Sequence, residues 1–293
     1  MNWSKYEDEV FESCKIHFGD ANVFKNVKWR GRYSKRQRQI DILIEEEIAE
    51  NKIITIIDCK YYTRKVDVKK VESFIGMLDD LDATRGVLIT EFGYTKSALE
   101  RAYNNPLHLE LDIFSLDAFR HIFQATLAFP YSGNNAVVLV APMGFIVDGQ
   151  RNDFSICTLY QRGLTLEEAM VRKEFAYVNF WEKTEECSSM EQLIVAQEEY
   201  MTKELKIQEL NYKKLSFKKN TKSVIRIADV KNYPTLEITG FVEFDSFIFF
   251  CVWFSERNVM KRNIRKLETL LKNIIPAKIT QKGNRPTPAG AVL

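Results

Sequence analysis

The chain has 293 residues, of which 45% are hydrophobic and 28% are charged, and this composition excludes the disordered and fibrous classes of protein. The formal net charge is only +2, which excludes a global field strong enough to draw the protein onto nucleic acid. The length favours two domains of ordinary size.

The first part of the chain predicts an α/β unit. A first helix is expected over residues 5–18, with Val10, Phe11, Cys14 and Phe18 facing inward. Glu7 begins the same stripe, although it is equally consistent with an ordinary first-turn acid favoured by the helix dipole. Strands are then expected at 23–29, 39–45, 53–60, 86–90 and 111–115, and helices at 67–82, 95–103 and 116–125. The order αβββαβαβα predicts a mixed sheet flanked by helices.

Residues 21–40 form a basic run that contains no acid. Its cationic members are Lys25, Lys28, Arg30, Arg32, Lys35, Arg36 and Arg38, and Trp29 and Tyr33 lie among them. Such a run is consistent with contacts to the phosphates of DNA, and also with a solvated hairpin that binds nothing.

The second part of the chain predicts a separate α+β domain with an antiparallel sheet. Pro130, Ser132 and Gly133 suggest the boundary, which gives domains at 1–130 and 131–280 and a flexible tail at 281–293. Strands are expected at 136–142, 223–230, 235–243 and 246–254, and helices at 165–175, 189–205 and 258–274. The apolar stretch within 247–254 is too short for a membrane span and predicts a buried central strand.

Two neighbouring strands of the first unit carry the chemistry-bearing residues, which are Asp41 and the triplet Asp58-Cys59-Lys60. Residues two apart in a strand share a face, so Asp58 and Lys60 project together and Cys59 points to the other side. Charges are retained at such a place only when they pair, bind a cation or reach solvent. One interpretation is a structural Asp58–Lys60 ion pair with a solvated Asp41.

The other interpretation is a phosphodiesterase site. Two carboxylates provide the hard oxygen ligands that Mg²⁺ prefers, and the ion activates a bound water. Lys60 would stabilise the transition state or help to deprotonate that water, and Glu7 would supply a further metal or water contact. Arg64, Lys65, Lys69 and Lys70 flank this site in sequence and are candidates for phosphate contacts.

The segment DCKYYTRKVDVKKVESFIGMLDDLDATRGVLITEFGYTKSALERA resembles the Mrr-like restriction endonuclease branch of the PD-(D/E)xK nuclease superfamily. The resemblance extends over residues 5 to about 105 and implies a restriction-endonuclease fold. It also implies that Asp41 is the metal-binding acid, Asp58 the second acid and Lys60 the lysine, and it matches Glu7 to the first-helix acid and Gln39 to a frequent glutamine.

The chain departs from the Mrr-like pattern at two positions. The triplet is DCK where most members have ECK or QCK, and aspartate is one methylene shorter, which shifts a metal contact by about 1 Å. The following helix reads Val71-Glu72-Ser73 where the branch often has a glutamine, so Glu72 is interpreted as part of a plain amphipathic helix.

These features predict a cytoplasmic endonuclease that acts on DNA with Mg²⁺, for which Mn²⁺ is expected to substitute, in a restriction or anti-phage defence system. Cutting both strands with one site per chain favours a homodimer. The N-terminus is acidic where a secretory signal needs apolar residues, no membrane span is found, and the five scattered cysteines favour reduced thiols without structural zinc.

Two alternatives remain open at this stage. One is a DNA-binding module that keeps the nuclease fold but has lost cleavage. The other gives the main role to the second domain, as a sensor of a regulatory ligand or protein partner that controls the nuclease. Two basic groups would serve that role or be solvated faces: Lys213, Lys214, Lys218, Lys219 and Lys222, and Arg257, Lys261, Arg262, Arg265 and Lys266. The second half is also faintly similar to the PsbP-like α/β/α sandwich, but no motif carries that similarity.

Overall fold

The computed structural model describes residues 3–18, 21–48, 51–60, 62–105, 108–120, 126–151, 153–217 and 221–279. The chain divides into two compact units, Met1–Ile122 and Phe123–Leu293. The boundary at residue 130 stays a prediction about where an independent fragment can be cut. In the described part of the chain, no helix combines the length and the apolar character needed to cross a lipid bilayer.

The first unit is built on a five-stranded mixed sheet. Its strands lie in chain order as β1 Asn22–Arg30, β2 Gln37–Ile48, β3 Asn51–Lys60, β4 Arg85–Thr90 and β5 Glu110–Ser115. The pairs β1/β2 and β2/β3 are antiparallel, whereas β3/β4 and β4/β5 are parallel. The predicted fold class of this unit is therefore confirmed, and the two parallel pairs place the ends of β3 and β4 at the same edge of the sheet.

Four helices accompany this sheet: α1 Trp3–His17, α2 Val68–Asp80, α3 Lys96–Tyr103 and α4 Leu116–Arg120. Helix α2 begins where the Asp67 carboxylate accepts the Lys70 amide hydrogen bond, and it buries its apolar stripe in a core with residues of β3 and β4. Helix α1 buries Val10 and Cys14, as its periodicity predicts, whereas Phe11 and Phe18 are only half-buried and Tyr6, which was not predicted to face inward, is buried. The predicted extension of α4 over 121–125 lies outside the described residues.

The second unit is made mostly of antiparallel strands. They are β6 Leu127–Ala128, β7 Tyr131–Ser132, β8 Asn135–Val140, β9 Phe145–Asp148, β10 Cys157–Gln161, β11 Phe175–Glu182, β12 Ile207–Leu215, β13 Ser223–Val230, β14 Leu236–Glu243, β15 Phe247–Ser255 and β16 Ile275–Lys278. Seven form a sheet in the order β12-β13-β14-β15-β11-β10-β9, and a second sheet has the order β16-β8-β6, with β7 also paired to β8. The apolar strand β15 is central and buried, as predicted.

The helices of this unit are α5 Leu166–Val171, α6 Met190–Tyr200 and α7 Met260–Asn273. Reciprocal side-chain caps start α5 at Thr165 and α6 at Ser189. The helix predicted over 189–205 is α6 followed by a π-helical turn, Met201–Leu205, which ends at Lys206 in a left-handed conformation. The helix predicted over 165–175 ends earlier, because Phe175 already belongs to β11.

Asp80, at the end of α2, holds the turn between β1 and β2. Its carboxylate accepts hydrogen bonds from the amides of Tyr33 and Ser34, both at 2.9 Å, from the Ser34 hydroxyl at 2.6 Å and from Arg38 Nε at 2.9 Å. Gly31 is required beside it, because a Cβ there would lie 2.2 Å from Asp80 Oδ2. This acid therefore ties the basic hairpin to the helix.

The bonds at Asp80 make part of the stability of the first unit depend on pH. The Ser34 hydroxyl and amide and the other donors lower the pKa of this carboxyl below its ordinary value, although burial opposes them. A carboxyl with a lowered folded pKa stabilises the fold above its unfolded pKa of about 3.9, and this contribution is lost as the pH falls further.

We expect Asp80→Asn to reduce the loss of stability of the first unit between about pH 5 and pH 3, because the proton-linked contribution has been removed. Hydrogen exchange of peptides from β1 and β2, followed against pH, measures this change. The matched control is Asp82→Asn, which removes an exposed carboxylate that pairs with Arg32 in the same region. Equal acid sensitivity in wild type and Asp80→Asn would contradict the assignment.

Candidate active site

The two predicted metal-binding acids lie where β2 and β3 separate. The backbone ladder is regular as far as the pair Ile42 and Ile57, and the next residues along are Asp41 and Asp58. There the Asp41 side chain continues the pairing, since its Oδ2 accepts a hydrogen bond from the Cys59 amide at 2.8 Å. A side-chain-to-backbone bond thus fixes one acid against the strand that carries the other.

Lys60 is joined directly to the second acid. Its Nζ lies 2.7 Å from Asp58 Oδ1, and the Asp58 side chain is only 11% exposed. Burial alone would lower the pKa of Lys60, but the neighbouring Asp58 raises it above its ordinary value. The lysine is therefore a cation at neutral pH, and the predicted shared face of Asp58 and Lys60 is observed.

Asp41 differs from Lys60 in that its surroundings disfavour its charged form. Burial and the negative charge of Asp58 together raise the pKa of Asp41 to about 7, against the smaller lowering effect of the Cys59 amide. Two close carboxylates with one ammonium leave an excess of negative charge in a partly buried place. A bound cation offsets such an excess, so these residues fit a metal site with two carboxylate ligands.

Helix α1 covers the Cys59 side of this strand. Glu7 is 6% exposed, its Oε2 lies 3.9 Å from Lys25 Nζ, and its charge helps to raise the pKa of the buried Cys59 thiol, after the larger effects of burial, Asp41 and Asp58. Glu7 is therefore near the strand, as its inward position predicts. Among the described residues, however, no cluster of three or more His, Cys, Asp or Glu side chains is arranged to hold a metal ion.

Tyr6 is a neighbour of the site that sequence reasoning missed. It is fully buried, and burial first, then the charges of Cys59, Glu91, Asp41 and Asp58, raise the pKa of its hydroxyl. The available signal was its place beside Glu7 and one helical turn before Val10, which puts it on the inward face.

The basic hairpin residues fall into two groups. Arg32 bonds to Asp79 at 2.9 Å and to Asp82 at 2.6 Å, and Arg38 bonds to Asp80, so both are ion-paired within the unit. These acids at the end of α2 were overlooked because they are far along the chain. Lys25 is also ion-paired, to Asp8 at 2.5 Å. The remaining cations are exposed, namely Lys28, Arg30, Lys35 and Arg36, and so is Gln39, which pairs with Lys28 across the two strands.

The residues that follow β3 form the other basic group beside the site. Arg64, Lys65 and Lys69 are exposed. The segment is tied to the loop after β4, since the Val66 amide donates to the Gly93 carbonyl at 2.9 Å and the Thr95 amide donates to the Val66 carbonyl at 3.0 Å. These cations therefore lie at the edge of the sheet where β3 ends with Lys60.

Several basic residues of the second unit are engaged with acids. Lys213 lies 2.6 Å from Glu268, Arg257 bonds to Asp229 through two nitrogens, and Arg262 lies 2.7 Å from Glu174. Lys218 and Lys219 lie outside the described residues. All three are thus ion-paired with acids distant in sequence, while the side chains of Lys213 and Arg257 remain exposed.

Residues 4–119 match the family model Mrr_cat, described as a restriction endonuclease. This match confirms the Mrr-like resemblance for the first unit, which has a restriction-endonuclease-like fold with two acids and a lysine at one end of a mixed sheet. No curated protein matches the chain.

Two solved structures show low overall similarity. One is AF1548, a protein of unknown function, with 14% identity and a TM-score of 0.31. The match covers 38% of this chain and 57% of that protein. The other is the PsbP protein CyanoP from Synechocystis sp. PCC 6803, with 12% identity and a TM-score of 0.36 over 52% of this chain and 92% of that one.

Proposed function

We propose that this protein is a metal-dependent DNA endonuclease that hydrolyses phosphodiester bonds. The observation that carries the proposal is the convergence of Asp41, Asp58 and Lys60 within a domain that matches the restriction endonuclease family. The raised pKa of Asp41 is consistent with it, because burial first and then the charge of Asp58 disfavour the ionised form of Asp41, which a bound cation would favour.

In this proposal Asp41 and Asp58 hold Mg²⁺, or Mn²⁺ in its place. Water and phosphate oxygens would supply the other ligands of the ion. When bound, the ion supplies an activated water and neutralises charge on the phosphate. Lys60 keeps its ammonium beside Asp58 and stabilises the negative charge that develops in the transition state. The Cys59 amide orients Asp41, and Glu7 is a supporting acid from α1.

Plasmid cleavage tests the proposal directly. Purified full-length protein should convert supercoiled DNA to nicked or linear forms with Mg²⁺ or Mn²⁺, and EDTA should stop the reaction. Binding of duplex DNA without cleavage under any of these metals would instead favour the module that keeps the nuclease fold and has lost catalysis. The direct Lys60–Asp58 ion pair favours this second candidate, because a purely structural ion pair would account for the same two residues.

DNA is proposed to lie against exposed cations of the first unit. Lys28 and Arg30 are on the exposed side of β1, Arg36 is exposed in the adjoining turn, and Arg64 and Lys65 follow the catalytic strand. Exposed cations of this kind provide contacts that position the DNA backbone without reading its sequence. Arg32 and Arg38 contribute less in this proposal, because acids of the same unit already neutralise them.

We expect the double substitution Arg30→Ala and Arg36→Ala to weaken duplex binding and to flatten the plot of log affinity against log salt by about 0.9 for each phosphate that is no longer neutralised. Fluorescence anisotropy in EDTA measures binding without cleavage. Arg32→Ala is the matched control from the same hairpin, and it should change the slope less because its charge is already paired. An unchanged slope in the double variant would contradict the proposed phosphate contacts. The solvated hairpin that binds nothing would then be the remaining interpretation.

The remaining parts of the proposal concern the cellular setting. A restriction or anti-phage role in the cytoplasm is consistent with the family match of the first unit. A homodimer would allow both strands to be cut by one site per chain. The second unit is proposed to control the nuclease through a ligand or a partner.

A further inference from the structure

The second unit contains a cavity of about 560 Å³, within the range of about 300–1,000 Å³ typical of small-molecule sites. Its wall comes from the residue after β11, the two residues before β13, the turn between β14 and β15 with the strand residues that flank it, and strand β16. The lining includes three lysines, two acids and two hydroxyl side chains. This mixture of charge and polarity differs from that of an apolar packing defect.

Backbone hydrogen bonds fix the walls of this cavity. The Lys183 amide donates to the Ser246 carbonyl at 3.1 Å, and the Glu243 amide donates to the Lys222 carbonyl at 3.1 Å. The Ser246 hydroxyl also lies 2.7 Å from Asn135 Oδ1, which links the loop to the sheet that contains β16. These bonds connect the walls of the cavity between the two sheets of this unit.

The charges in the cavity leave cations available. Lys183 and Glu243 form a tight pair at 2.7 Å, with side chains 19% and 12% exposed. Burial would raise the pKa of Glu243, but Lys183 and Lys222 together lower it, so this acid stays ionised and neutralises Lys183. Asp245 is the other acid of the lining, and Glu191, outside the lining, lies 3.6 Å from Lys222, so the cation of the lining without an acid partner among the described residues is Lys278.

Lys222 and Lys278 are the two lysines that a ligand would reach. Lys222 Nζ is 3.6 Å from both Glu191 and Glu243, which is a loose contact, and its side chain is 66% exposed. Lys278 is exposed and has no ion pair within the described part of the chain. An ammonium of this kind is a good point-charge partner for phosphate.

An aromatic wall completes the site. Phe244 is half-buried in the lining, and its ring centroid lies 5.0 Å from that of Phe247 at an angle of 40°. Pro276 adds a further apolar surface. An exposed face of an aromatic ring stacks favourably with any planar base.

We propose that this cavity binds a nucleotide, with its phosphates at Lys222 and Lys278 and its base against Phe244. The cations select an anionic group, and the half-buried ring selects a planar one. The Ser246 hydroxyl, which donates to Asn135, can still accept a hydrogen bond from a sugar hydroxyl. This site belongs to the second unit and does not depend on nuclease activity.

Isothermal titration of the full-length protein with ADP, in EDTA so that the nuclease site holds no metal, tests the proposal. We expect binding of one ADP per chain, and a loss of roughly tenfold or more in affinity for Lys222→Ala and for Lys278→Ala, as for removal of a charge-assisted hydrogen bond. Phe244→Ala should weaken ADP binding but leave the binding of inorganic pyrophosphate unchanged.

Lys231→Ala is the matched control, because this exposed lysine lies at the opposite end of β13 from Lys222. The exposed lysine variants should keep the thermal unfolding curve of the wild type, so a loss of binding cannot be assigned to unfolding. No ADP binding, or the same affinity in all four variants, would overturn the proposal. Weaker duplex DNA binding in the two lysine variants without ADP binding would show a DNA contact and would overturn it as well.

Discussion

Asp41→Asn and Asp58→Asn should each abolish Mg²⁺-dependent DNA cleavage, and both should weaken metal binding. Asparagine keeps the shape of aspartate but lacks the charge that holds a hard divalent cation. In Asp41→Asn the amide oxygen still accepts from the Cys59 amide, so the strand pairing is retained. Cleavage assays and metal titration, with circular dichroism to verify the fold, measure these effects.

Lys60→Ala should separate catalysis from metal binding. Both carboxylates remain, so the metal still binds, while the rate falls by a factor of about 10² or more because a charge-stabilising group is removed. Lys52→Ala is the matched control on the same strand, since its ammonium pairs with Glu45 at the other end of β3. Wild-type cleavage that survives in the Asp41 and Lys60 variants would show that the site is elsewhere.

The second large effect is expected at Arg85, which is buried between two acids. Its Nη1 lies 3.1 Å from Glu46 and its Nε lies 3.0 Å from Glu110, and the Arg85 side chain is only 2% exposed. Arg85→Ala leaves two buried carboxylates without this partner, which typically costs about 3–5 kcal/mol. The stability of the first unit should fall by that amount.

Hydrogen exchange of peptides from β3 and β4 measures this destabilisation of the first unit separately from the second. Lys96→Ala is the control, because its long contact with Glu100 is exposed and such pairs contribute about 0–1 kcal/mol. A change at Arg85 no larger than that of the control would mean that the buried network does not hold the sheet together.

Local periodicity was sufficient to predict most of the first unit. The stripe of α2 and the uninterrupted apolar run of β4 have clear signals, and both elements lie within one or two residues of their predicted bounds. The pairing of Asp58 with Lys60 followed from their spacing alone. The contact of Asp41 with the Cys59 amide did not, because it depends on where β2 leaves β3.

Seven strands of the second unit were not predicted, namely β6, β7, β9, β10, β11, β12 and β16. Strand β12 shows the reason: it lies at the edge of its sheet, most of its side chains are exposed, and Lys213 and Lys214 make it look like a solvated basic segment. Its conformation comes from pairing with β13 and not from its own pattern. The acids that pair with Arg32 were likewise beyond the range of any local signal.

Strand β1 is an edge of the five-stranded sheet, so one side of its backbone faces no strand of that sheet. Exposed edges of this kind promote aggregation between copies of a protein unless charges oppose it. Lys28 and Arg30 are exposed on this strand, and two copies aligned edge to edge would bring like charges together. The cations proposed to contact DNA therefore also oppose edge-to-edge pairing of β1 between copies, and their removal should lower both DNA affinity and solubility.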